Sequence, residues 1–131
     1  EVTEDGNKDA SSPSTAALEY WREHFPDNKI IIWDEEDLTA DGRIDTVIVF
    51  NVGRNKNAMV VVLDYPEGYR FTEAIPAPVE NQTIEFKDID EEPPVELIIS
   101  GSKGTFVGYA IYRFVDGELV DLFSQDMNYC C

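Results

Sequence analysis

Two stretches of the chain share one pattern, in which an acidic loop leads into an apolar strand. The first is DLTADGRIDTVIVFN, from Asp37, and the second is DIDEEPPVELIISG, from Asp88. Each continues through polar turns into two further strand-like segments. We therefore expect two β-meanders about fifty residues apart, a spacing at which repeats indicate blades or arrays. The ungapped alignment matches Asp37, Thr39, Asp41 and Asp45 with Asp88, Asp90, Glu92 and Glu96.

The strands in the middle of these meanders predict that the sheet is covered on both sides. AMVVVLDY and FVGYAIYRFV are apolar at nearly every position, whereas a sheet with one wet face alternates. One cover is expected to be a helix and the other the partner meander. Two meanders are too few to close a propeller of the usual size.

The helix is predicted in SSPSTAALEYWREHFPD. Ser12 is suited to the N-cap and Pro13 to the first helical position, and Pro26 ends the segment. Leu18, Trp21 and Phe25 recur at helical spacing. The expected fold class is therefore α+β: an N-terminal helix packed on antiparallel meanders from two related halves, a partial blade-like repeat.

Length and charge restrict the organisation and the partners. A chain of 131 residues favours one domain, which we place at residues 13–125, between a flexible acidic leader (1–12) and a short tail (126–131). The net charge of -17 disfavours nucleic acid and anionic membranes as partners. No stretch reaches the roughly 18 apolar residues of a membrane span. The polar, Ser-rich leader is typical of an exported domain tethered at a processed, lipid-anchored N-terminus.

The first acidic loop has the spacing of a calcium site. Side-chain oxygens at loop positions one, three, five and nine, a backbone carbonyl at seven and glycine at six suit a hard cation. The candidate ligands are Asp37, Thr39, Asp41, the Arg43 carbonyl and Asp45. The alternative is an acidic turn whose Asp side chains accept bonds from local backbone amides.

The second loop is a weaker candidate for the same ion. It keeps acids at all four positions, but Pro93 and Pro94 replace the glycine-containing turn, and proline cannot adopt that geometry. Its candidate ligands are Asp88, Asp90, Glu92 and Glu96.

The only two cysteines, Cys130 and Cys131, are adjacent at the end of the sequence. Neighbouring α-carbons lie about 3.8 Å apart, closer than the roughly 4.4–6.8 Å of an ordinary disulfide, so a bond between them would be strained and easily reduced. Two thiolates beside a carboxylate would also form an anionic clamp for a soft metal ion. The alternative is a tail without function.

These features resemble two known families. The acidic loops are similar to the loops of FG-GAP/VCBS-type repeats. The terminal pair, together with DLTADGRIDTVIVF and VELIIS, resembles the Cys-Cys-COOH (seleno)protein family SaoC. That resemblance implies an extracytoplasmic protein associated with a thioredoxin-like (seleno)protein and ABC-transporter components, with Cys130 and Cys131 as the reactive residues.

Two functional hypotheses follow. The first is an exported accessory protein that uses the vicinal cysteines for thiol redox exchange or soft-metal handling with a thioredoxin-like or transporter partner. The second is a non-enzymatic calcium-binding or interaction module with an incidental tail. A self-sufficient enzyme is disfavoured, because the sequence has one histidine, no Ser/His/Asp set and no phosphate loop.

Overall fold

A computed structural model describes residues 14–89, 91–116 and 118–125. The described part of the chain contains one helix followed by nine strands. They are α1 (Ser14–His24), β1 (Lys29–Glu36), β2 (Asp45–Gly53), β3 (Lys56–Tyr65), β4 (Gly68–Phe71), β5 (Ile75–Ala77), β6 (Glu80–Lys87), β7 (Glu96–Lys103), β8 (Phe106–Val115) and β9 (Glu118–Gln125).

The strands form two antiparallel sheets. The first has the order β1-β2-β3-β4, and β5 also pairs with β3; the second has the order β6-β7-β8-β9. The protein is thus mostly β with a single described helix, and the predicted N-terminal helix and antiparallel strands are present. The proposed helix start at Ser12 and Pro13 lies outside the described residues.

The first sheet is buried on both faces, which explains its uninterrupted apolar strands. On one face, Ile48 of β2 and Val60 and Val62 of β3 belong to a cluster with Leu18 and Trp21 of α1. The neighbouring residues point the other way. These are Val47, Val49, Met59, Val61 and Leu63, which pack with Leu97, Ile99, Ala110, Tyr112 and Phe114 of the second sheet. The order of layers is therefore helix, first sheet, second sheet.

Aromatic rings attach the helix to the first sheet. Trp21 is fully buried, stacks on Phe25 with ring centroids 5.2 Å apart, and meets Phe50 of β2 edge-on at the same distance. The only histidine, His24, donates from Nδ1 to the Tyr20 carbonyl oxygen at 2.9 Å and packs edge-on against Phe71. It is therefore a packing residue at the end of the helix.

The strand register of the first sheet recurs in the second. Pairs in β1, β2 and β3 have counterparts about fifty positions further along in β6, β7 and β8, and the β3–β4 pairs have counterparts in β8–β9. A register shift also occurs near the start of both β1 and β6. Matching pairs include Asp34–Val47 with Glu85–Ile98, Val47–Val61 with Ile98–Ile111, and Leu63–Arg70 with Arg113–Val120.

Two elements differ from the sequence prediction. The stretch YRFTEAI was expected to form one strand, but it divides into β4 and β5 around residues 72–74, and Thr72 binds back to β3 through its backbone and its hydroxyl. The strand β6 was not predicted. Its side chains alternate between exposed and half-buried. Only two of its residues, Ile84 and Phe86, are apolar and face the core, and polar or charged residues surround them in the sequence, so the strand pattern is weak.

The connection between the sheets passes very close to β7 at Gly101. A Cβ atom on Gly101 would overlap Pro78 and come within 2.8 Å of the Glu80 carbonyl oxygen. The backbone and the proline ring cannot move aside without disturbing the sheet, so this position requires glycine.

We predict that Gly101→Ala lowers the free energy of unfolding by about 1–3 kcal/mol, the usual cost of forcing extra volume into a packed region. The matched control is Gly53→Ala, where an added Cβ meets no atom within 4 Å. Denaturant unfolding monitored by tryptophan fluorescence measures both variants. Equal stabilities for the two variants would contradict the close approach at Gly101.

Candidate functional site

The loop between β1 and β2, residues 37–45, is held in place by one buried carboxylate. Asp45 is 1% exposed, and Leu38, a core residue, is completely buried. The Leu38 amide donates to Asp45 Oδ2 at 2.9 Å, and the Asp64 amide on β3 donates to Asp45 Oδ1 at 2.9 Å. Asp45 thus closes the loop and ties it to the neighbouring strand.

The other two aspartates stabilise the turn through local amides. Asp37 accepts from the amides of Asp41 at 3.2 Å and Gly42 at 2.8 Å, and Asp41 Oδ1 accepts from the Arg43 amide at 2.9 Å. Ala40 and Gly42 both have positive φ angles, 61° and 83°. The amide-bonded acidic turn, one of the two interpretations of the sequence, accounts for these contacts.

Burial, hydrogen bonds and neighbouring charges shift the pKa values of two aspartates in the loop. Burial raises the pKa of Asp45 from 3.8 to about 6; its two amide hydrogen bonds oppose the rise, and the charges of Asp41 and Asp37 add to it. Burial also acts to raise the pKa of Asp41, but the Arg43 amide and neighbouring side chains outweigh it, so that pKa lies below 3.8. The Arg43 guanidinium binds Asp64 at 3.1 Å, on the adjacent strand.

One oxygen in the loop lacks a hydrogen-bond partner. The Thr39 hydroxyl contributes to the low pKa of Asp41, yet Thr39 Oγ1 is buried and has no partner at hydrogen-bond geometry. Across residues 14–89, 91–116 and 118–125, no three His, Cys, Asp or Glu side chains are grouped as a metal ion requires. The loop therefore contains the predicted donors without gathering three carboxylates at one point, and calcium binding stays a prediction.

The second loop repeats the hydrogen bond from a loop amide to a buried acid and adds a positively charged side chain beside that acid. The Ile89 amide donates to Glu96 Oε1 at 2.7 Å, as the Leu38 amide does to Asp45, and Glu96 is likewise 1% exposed. Glu96 Oε2 lies 3.9 Å from Arg113 Nε on β8, and Arg113 also donates to the Pro93 carbonyl at 3.1 Å. In this loop, the Arg113 guanidinium therefore lies beside the buried Glu96 carboxylate.

Of the other predicted residues of the second loop, Asp88 and Glu92 are exposed, in contrast to the buried Glu96. The Asp88 carbonyl accepts from the Glu91 amide at 3.3 Å, closing a turn in which Glu91 has a φ of 60°, close to that of Ala40. Asp90 lies outside the described residues. Sequence reasoning missed Arg113, because its strand position relative to Glu96 becomes apparent only once β7 and β8 are paired in register.

The predicted reactive pair, Cys130 and Cys131, lies outside the described residues. No helix in the described ranges is long and apolar enough to span a bilayer. No protein-family model, curated protein or solved structure matches this chain.

The raised pKa of Asp45 predicts a pH-dependent stability. The folded state holds the proton of the Asp45 carboxyl more tightly than the unfolded chain does. The stabilisation that this proton gives to the folded state is therefore complete below about pH 4 and is lost as the pH rises through about 6. Relative to Asp45→Asn, which cannot titrate, the wild type should lose about 2–3 kcal/mol between these limits.

Urea unfolding of both proteins at several pH values, with a chelator present, tests this prediction. The acids that do not interact with residue 45 cancel in the difference between the curves, whereas the hydrogen bond lost in the variant adds a constant offset. Parallel stability curves from pH 4 to pH 7 would show that Asp45 titrates normally.

Proposed function

We propose that this chain is a non-enzymatic binding module whose 37–45 loop takes up one calcium ion. The observation that carries the proposal is the buried, unpartnered Thr39 Oγ1 in a loop with three carboxylates. A buried hydroxyl oxygen without a partner costs free energy, and a cation bound to it would recover that cost.

The donor set suits a hard cation. Asp37, Thr39, Asp41 and Asp45 supply side-chain oxygens, and the Arg43 carbonyl supplies a fifth oxygen. A carboxylate oxygen that accepts one amide bond keeps a second lone pair, so the present hydrogen bonds do not exhaust these donors. Binding would require the loop to contract until the carboxylates share one ion, which favours moderate affinity.

The contrast between the two loops also supports an ion in the first. Glu96 in the second loop has Arg113 beside it, whereas the matching register position in the first sheet is Leu63. The first loop thus has a buried acid and two neighbouring aspartates without a guanidinium at that place, and Arg43 binds Asp64 instead. A bound cation would supply the missing positive charge.

We further propose that the two sheets are copies of one blade-like unit. Three correspondences support this: the shared strand register, the Leu38–Asp45 and Ile89–Glu96 contacts, and the positive φ angles of Ala40 and Glu91. On this interpretation, the second copy replaced a cation site with an ion pair.

Calcium titration followed by isothermal calorimetry and thermal melting tests the first proposal. We expect one ion per chain, a raised melting temperature, and loss of both effects in Asp41→Ala, which removes a carboxylate from the loop. Glu92→Ala is the matched control, because it removes the same charge at the corresponding position of the second loop.

Magnesium at equal concentration controls for general screening of the negative chain, since it needs a smaller and more rigid site than calcium. Equal stabilisation by both ions, or an equal response of both variants to calcium, would reject the loop as a site.

A second function is proposed from the sequence for Cys130 and Cys131. We infer that the pair exchanges electrons or a soft metal ion with a thioredoxin-like or transporter partner outside the cytoplasm, with the folded domain as a lipid-anchored carrier. The supporting observation is that both thiols of the chain are adjacent, so they can cycle or chelate together.

If the pair acts as a unit, Cys130→Ser and Cys131→Ser should each cost nearly as much zinc or copper(I) binding as the double variant. Removal of both residues should change the free energy of unfolding by less than about 0.5 kcal/mol, because a crosslink between adjacent residues closes almost no loop of the chain. Thiol titration with and without each metal gives the measurement. Unchanged metal binding in the double variant would make the tail incidental.

A further inference from the structure

The second sheet has an apolar face that the described part of the chain leaves open. We call it the outer face, and its apolar residues are Ile98, Val107, Tyr109, Ile111, Val115, Val120 and Phe123. Strand register places Ile98, Ile111 and Phe123 in one cross-strand row. The Tyr109 and Phe123 rings touch, with centroids 5.5 Å apart, and Val107 is 65% exposed.

This face corresponds to a buried face of the first sheet. Ile98 and Ile111 occupy the register positions of Val47 and Val61, which are fully buried against the second sheet. A sheet face that stays in water normally carries polar residues. The outer face keeps apolar residues at these two positions and has Val107 where the first sheet has Asn57, although Ser100 and Arg113 replace Val49 and Leu63. Its exposed apolar side chains, such as Val107 and Phe123, favour a cover over this part of the face.

Head-to-tail stacking of two copies is blocked. Such stacking would place the outer face of one copy against the free face of another copy's first sheet. That face is occupied by α1, whose Leu18 and Trp21 are buried there. Of the two sheet faces that a second copy could present, only its own outer face is therefore open.

Charge on this face also favours a second copy over a basic partner. Glu85 lies 4.0 Å from Lys87, and Glu96 lies 3.9 Å from Arg113. These two acids have basic neighbours, and Glu118, which pairs with Val115, adds one exposed acid to the face. The face thus offers limited negative charge to attract a basic protein, although the chain as a whole has a net charge of -17. Two such faces can meet without strong local repulsion.

The available area is sufficient for a weak dimer. Four strands spaced about 4.8 Å apart and about eight residues long span roughly 19 by 27 Å. Each copy would thus bury on the order of 500 Å², about 1,000 Å² in total, near the lower limit for a specific interface.

We propose that this protein forms a symmetric dimer in which the outer faces of two copies pack together as a sheet-on-sheet interface. The proposal does not depend on the calcium loop or on the terminal cysteines. Because the two chains have the same negative charge, added salt should strengthen the dimer, the opposite of what salt does to oppositely charged partners.

Analytical ultracentrifugation of the full chain, in reducing buffer from low to several hundred micromolar, measures the dimer. We expect a concentration-dependent dimer that tightens from low to high salt, and at least a tenfold weaker association for Phe123→Lys. The matched control is Val52→Lys on β2, because Val52 and Phe123 are each 46% exposed and Val52 lies on the first sheet.

Thermal melting establishes that each variant is folded. If Phe123→Lys does not fold, Val107→Lys, at the most exposed apolar position of the face, gives the same test. A monomer at all concentrations and salt levels, or equal weakening by Val52→Lys, overturns the proposal. A monomer that dimerises only after removal of residues 1–13 or 126–131 also overturns it, in favour of a cover supplied by the same chain.

Discussion

Burial of the first sheet on both sides is the constraint on which the rest of the structure depends. Adjacent residues such as Val47 and Ile48 point into different cores, one shared with the second sheet and one shared with α1. Neither cover is optional, because removal of either exposes a continuous apolar surface to water. The helix, both meanders and the connection past Gly101 together satisfy this one requirement.

The parts of the fold that the sequence predicted are those whose signal is local. Helical spacing of Leu18 and Trp21 predicted α1, and the unbroken apolar run of β3 predicted a strand with two covered faces. The same prediction is wrong for β8, which in the described part of the chain is buried on alternate residues only. The strand β6 was missed because the core takes only alternate residues of it, such as Phe86, and charged residues separate them. The division between β4 and β5 depends on hydrogen bonds between Thr72 and Val61, which tertiary contact decides.

The candidate site was predictable as a set of donors but not as an arrangement. Loop spacing identified Asp45, yet only the folded chain shows that this residue is buried and joined to the Asp64 amide. The different neighbours of Asp45 and Glu96 were likewise hidden, because Arg113 is distant from Glu96 in sequence. A buried acid can be stabilised by amides, by a guanidinium or by a metal ion, and long-range pairing determines which of these is near.

The order of strands within each sheet has a consequence for how the chain is made. Every strand of both meanders pairs with a strand adjacent in sequence, apart from the extra pairing of β5 with β3. Such local pairing lets each sheet assemble early and quickly. During synthesis, however, the first sheet is complete before β6 to β9 have emerged, so its inner apolar face, including Met59 and Leu63, is temporarily exposed. Exposed apolar surface of this kind promotes aggregation of partly folded chains, so the second sheet protects the first one as soon as it has been made.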